Sequence, residues 1–105
     1  MDKTAIQNLL VIRSGEPDSA IRERILLALA QILEGIEVHE FKQAHALRCV
    51  ATSMGFLLSG CHAEAARAAE QAMSGIALSA ALSKALPGDL RRGLHSLADL
   101  PNGPA

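Results

Sequence analysis

Apolar residues recur at helical spacing along most of the chain. Ile21, Ile25, Ala28, Leu29, Ile32 and Ile36 fall at i, i+4, i+7, i+8, i+11 and i+15, the period that gathers side chains on one face of an α-helix. Leu26, Leu27, Ala30 and Leu33 widen that face far beyond a stripe, while Arg22, Glu23, Gln31 and Glu34 form the polar side. Pro17-Asp18-Ser19 opens this helix, with Asp18 or Ser19 as its cap, and Gly35 is expected to break it. A helix so apolar has to be covered on more than one side. In so short a chain, the pattern predicts that a second copy or a partner protein covers part of it.

Shorter patterns flank this one. Thr4 to about Arg13 reads as a leading helix, with Thr4 as cap, Gln7 three residues later, Leu9 and Leu10 facing inward, and Ser14-Gly15 as the stop. From about residue 37 to 59, Phe41, Ala44, Leu47, Val50, Ala51, Met54, Leu57 and Leu58 predict a third helix that ends at Ser59-Gly60. A fourth is expected from about His62 to Leu86. Its alanines (Ala63, Ala65, Ala66, Ala68, Ala69 and Ala72, then Ala77, Ala80, Ala81 and Ala85) let a neighbouring backbone come close, and Gly75 is a second close-contact point or a bend. Pro87-Gly88 stops it. Asp89 caps a last segment in which Leu90, Leu94, Leu97 and Leu100 lie at steps of four, three and three. That row suits packing on the chain's own bundle better than docking to a partner.

Proline supports this division. The four prolines stand at 17, 87, 101 and 104, and proline inside a helix costs about 3 kcal/mol. Residues 1–100 are expected to form a single all-α domain, with 101–105 as a disordered tail. Glycines at 15, 35, 55 and 75 are evenly spaced, but the residues between them do not match, so no repeat is assigned.

Composition adds to the pattern. Nineteen Ala and sixteen Leu make up a third of the 105 residues, against fourteen Val, Ile, Thr and Phe together, a balance that favours helices over strands. The expected architecture is a small helical bundle, or stacked helical hairpins, of three main helices plus short terminal ones. Ten basic and eleven acidic residues leave a formal charge of −1, without the basic face that binds nucleic acid. With Phe41 and Phe56 as the two aromatic residues, there is no stacking platform for bases. No stretch reaches 18 apolar residues, and the N-terminus lacks the basic start and unbroken apolar run of a secretory signal. A soluble cytoplasmic protein is expected.

Little in the sequence carries chemistry. His39, His45, Cys49, Cys61 and His62 are the one metal-like constellation. His45 and Cys49, four residues apart, share a helix face and could hold one ion. A hairpin turning near Gly60 would leave Cys61 at the turn, far from His45. In His39–His45 the histidines are six residues apart, so HExxH is not formed. There is no glycine-rich phosphate loop, no GxSxG and no paired carboxylates beside a cleft. No catalytic residue, metal ligand or cofactor is assigned, and two cysteines are too few for a disulfide framework.

Residues 53–77 resemble one tetratricopeptide unit. Phe56, Gly60, Ala65 and Ala72 stand at that family's spacing, where small residues let two antiparallel helices close and the aromatic fills the gap between repeats. Ala69 replaces the usual aromatic, and the closing proline is missing near Ala77. The segment FLLSGCHAEAARAAEQAM is also similar to small tetratricopeptide-like chaperones of type III secretion systems. That resemblance implies an all-α, cytoplasmic, non-enzymatic protein that shields an aggregation-prone helix in an apolar groove.

The function expected is therefore a protein-binding helper (chaperone, adaptor or regulator) that sequesters an apolar helix of a partner, as a homodimer or heteromer. Its expected contact residues are Ile25, Leu29, Ile32, Leu33, Met54, Phe56 and Leu57. The alternatives are an anti-activator that binds a transcription factor and a metal-binding sensor that uses His45 and Cys49.

Overall fold

A computed structural model of the chain describes residues 2–74 and 87–99. These form five helices and no strand: α1 (Lys3–Leu9), α2 (Asp18–Glu37), α3 (Gln43–Leu58), α4 (His62–Met73) and α5 (Pro87–Asp99). The all-α class is as expected. The expected fourth-helix residues beyond Ser74, together with Leu100 and the tail at 101–105, lie outside the described residues.

The fold is arranged around α2, which packs against each of the other four helices. Ile25, Ala28, Leu29, Ile32, Leu33 and Ile36 are all fully buried. That part of the apolar face is covered by the chain's own helices, whereas Leu26 and Ala30 are half-buried and Leu27 is exposed. Gly35 does not break α2: the helix runs on to Glu37, and Gly35 is itself buried. One glycine costs a helix about 1 kcal/mol relative to Ala, which a helix with so many buried apolar side chains tolerates.

The ends of α2 and α3 share one device. At the end of α2, Glu40 N–H donates to Gly35 O (2.8 Å) and His39 N–H to Ile36 O (3.1 Å). At the end of α3, Cys61 N–H donates to Phe56 O (2.8 Å) and Gly60 N–H to Leu57 O (3.1 Å). Both are Schellman closures, in which one residue takes the left-handed conformation. Gly60 holds it at φ 75°, and His39 at φ 62°. The first closure delays α3 to Gln43, six residues later than its apolar spacing suggested, and places Phe41 in the connection, still buried. Lys3 Nζ lies 5.5 Å from the Phe41 ring centroid, within cation–π range.

The second closure turns α3 back on α4. Ala65, Ala66, Ala69 and Ala72 are buried along this contact. Their small side chains let the axes approach until Ser53 Oγ donates to the Ala65 carbonyl at 2.7 Å inside the core. At the far end, His45 Nε2 lies 2.5 Å from the Gln71 carbonyl. With a carbonyl as the acceptor, Nε2 carries the proton, and His45 satisfies one of the last backbone oxygens of α4.

α1 is shorter than its pattern suggested. It is capped by Asp2, whose side chain accepts from Thr4 N–H at 3.0 Å, and it ends at Leu9. Beyond that point Arg24 of α2 takes over the backbone: it donates to Leu9 O at 3.1 Å and to Val11 O at 2.5 Å. It also pairs with Glu16 Oε1 at 2.5 Å, and that oxygen accepts from Arg13 N–H at 2.7 Å. Ile6 and Leu10 are thereby held in the core.

Two stability predictions follow from these ends. His39 pays for a left-handed backbone that glycine adopts freely, a difference of about 1 kcal/mol. Thermal unfolding should show His39→Gly raising Tm and Gly60→Ala lowering it. A lower Tm for His39→Gly would contradict the Schellman reading. The Arg13 N–H, with Arg24 adding to it, holds the Glu16 carboxyl below its ordinary value of 4.5 against the opposing effect of burial. A lowered carboxyl contributes stability above the ordinary range and loses it as pH falls through and below that range. Glu16→Gln should therefore flatten the acid side of the stability–pH curve, as measured by urea unfolding at a series of pH values.

Candidate functional site

A concave, mainly apolar surface lies between α2 and α5. These helices run antiparallel, tied at both ends. Arg22, near the start of α2, donates to the Leu97 carbonyl in the last turn of α5. Arg91, in the first turns of α5, bonds Glu37 at the end of α2 through Nε (2.8 Å) and Nη2 (2.7 Å). Between the ties, on the outer side, is a groove of about 420 Å³. Leu26, Leu27, Ala30, Leu94 and Ala98 make it apolar, and Arg22, Glu23, Arg91 and His95 edge it. Leu27 is 51% exposed, unusually so for a leucine in the central helix. Ala30 and Ala98 leave room where larger residues would fill the groove.

Most of the contact residues expected from sequence lie elsewhere. Ile25, Leu29, Ile32 and Leu33 are fully buried and Leu57 nearly so, all in the chain's own core. Met54 and Phe56 are half-buried and pack against that core. The seven do not form a surface: helical period identifies the apolar side of α2 but does not say which part its neighbours cover. The uncovered part carries Leu26, Leu27 and Ala30, read in the sequence only as broadening the stripe. α5 supplies the opposite wall. Its Leu90, Leu94 and Leu97 pack onto the bundle as expected, and the same helix brings Ala98 and His95 to the groove.

The histidines and cysteines are spread along the fold. His39 sits in the exposed α2–α3 connection, while Cys61 and His62 are at the closed end of the α3–α4 hairpin. His45 and Cys49 do meet, with Nε2 and Sγ 3.8 Å apart. However, His45 Nε2 is already bonded to Gln71 O and lies 3.3 Å from Ser74 Oγ. Burial pushes the Cys49 thiol up against a smaller lowering by Arg48, which disfavours the thiolate that a metal or nucleophilic role requires. Here the pair closes the open end of the hairpin. Among the described residues, no group of three or more His, Cys, Asp or Glu is placed to hold a metal ion. No described helix is long and apolar enough to cross a membrane.

No known protein family, curated protein or solved structure matches the chain. The functional reading therefore rests on the geometry of the groove.

Proposed function

We propose that the chain is a non-enzymatic, cytoplasmic protein-binding helper that holds an apolar helix of a partner protein. The observation that carries this reading is the α2–α5 groove: an apolar floor between two antiparallel helices, with charges confined to its edges. A third helix laid between two others buries its apolar side against both, which is how amphipathic helices dock in grooves. α5 is an example within the chain itself, a short helix seated on the bundle by one row of leucines. The occupant assigned to the groove is an amphipathic helix with leucine or isoleucine at i, i+3, i+4 and i+7, spanning the two turns from Leu27 to Ala30 and from Leu94 to Ala98. A chaperone, an adaptor and an anti-activator would all use such a groove, and the partner's identity separates them.

Leu27→Glu tests the assignment. The side chain is half-exposed, so the substitution leaves helicity and Tm nearly unchanged. It places a charge on the groove floor, and burying that charge under a partner helix costs binding. Affinity for a fluorescent amphipathic helix of leucine and lysine should fall about tenfold or more, as expected for loss of a central apolar contact. Equal binding by the wild type and Leu27→Glu would remove the groove from the function. A dimer in the wild type that Leu27→Glu dissolves would put a second copy in the groove in place of a partner.

A further inference from the structure

The surface beneath α5 has the form of a helix-binding trough, which shares Arg22 and Leu26 with the open groove beside it. Arg22 and Glu37 touch the two ends of α5. They are fifteen residues apart on one face of α2, and Leu26, Leu29 and Leu33 fall on that face between them. α3 forms the other wall, with Met54 against Gly93 of α5. α5 fills the trough with Leu90, Leu94 and Leu97, at i, i+4 and i+7.

Both ends of the trough are polar and select a direction. Leu97 O belongs to the last turn of α5, where carbonyls have no partner within the helix, and Arg22 supplies the donor. Glu37 receives the basic residue that follows the first leucine. An occupant must therefore run antiparallel to α2 and end near Arg22. In the middle, a Cβ at the Gly93 position would overlap the terminal methyl of Met54. That contact is with the far end of a flexible thioether, which can move aside for a different occupant.

α5 is covered on one side only. Its main contacts are with α2 and α3, and Asp89, Arg92, His95, Ser96 and Asp99 are exposed. The Arg91–Glu37 pair is well exposed, the type of ion pair that contributes little. Gly93 weakens the helix from within.

We infer that α5 is an exchangeable occupant of this trough, and that the same trough takes a partner helix with leucines at i, i+4 and i+7, a basic residue at i+1 and a free C-terminal turn. The inference rests on the reading that the chain binds partner helices, and it adds a second seat regulated in cis. While α5 is seated, the apparent affinity for a competing helix is reduced by the fraction of molecules in which the trough is open.

The test uses the full chain and a fluorescein-labelled peptide with the sequence of residues 87–99. Leu90→Asp/Leu97→Asp in the chain releases α5, and fluorescence anisotropy should then show the peptide binding about tenfold or more tightly than to the wild type, because the competing fraction is removed. A control peptide with serine in place of its three leucines should not bind. A folded double variant that binds the peptide no better than the wild type overturns the inference. If the double variant does not fold, amide hydrogen exchange of the wild type decides. Exchange in α5 much faster than in α2 supports a displaceable helix, and equal protection of the two overturns it. Leu27 lies outside the trough, so Leu27→Glu leaves peptide binding unchanged, and failure of the open groove is read separately from failure of this seat.

Discussion

The structure depends on the need to cover α2. A helix apolar on most of its circumference is costly in water, at about 25 cal/mol per Å² of exposed apolar surface. Four other helices are arranged to cover it. Each is fixed in place by a polar contact that also satisfies backbone groups. Arg24 of α2 receives the end of α1, two Schellman closures turn the chain into and out of α3, and Arg22 receives the end of α5. The apolar excess supplies the drive to collapse, and the polar contacts at helix ends determine which of many bundles forms.

The α3–α4 hairpin is the most closely packed part of this cover. It is closed at one end by Gly60, held in the middle by Ser53 on the Ala65 carbonyl, and closed at the other end by His45 on the Gln71 carbonyl. The alanine row makes the close approach possible. α5 differs in kind. It adds one row of leucines, each worth roughly 1.5–3 kcal/mol when fully buried, and it leaves Leu26, Leu27 and Ala30 of α2 at the edge of an open groove. The open groove is thus a consequence of incomplete coverage of α2.

Much of this fold can be read from residue pattern. The helical class, the stop at Ser59-Gly60, the inward row Leu90, Leu94 and Leu97, and the position of Cys61 at a turn away from His45 all follow from spacing and from glycine. Spacing failed where tertiary contacts outweighed a local signal. Gly35 looked like a break, but packing absorbed its cost. Residues 38–42 looked helical, yet His39 took the left-handed conformation, which the identity of a histidine does not announce. The contact residues were hardest to place. Ile25, Leu29, Ile32 and Leu33 lie on the part of α2 that the other helices cover. The exposed Leu27 sits between them in sequence with no distinguishing mark, because exposure depends on where α5 lies, and no periodicity within α2 encodes that.

The chain's other four helices cover the buried face of α2. Native mass spectrometry of the chain expressed alone, at micromolar concentration, tests this most directly. A compact species of 11.0 kDa is expected, in the narrow low-charge distribution of a folded protein. A chain that is compact only at twice that mass and highly charged as a monomer would contradict it, because α2 would then be completed by a second copy.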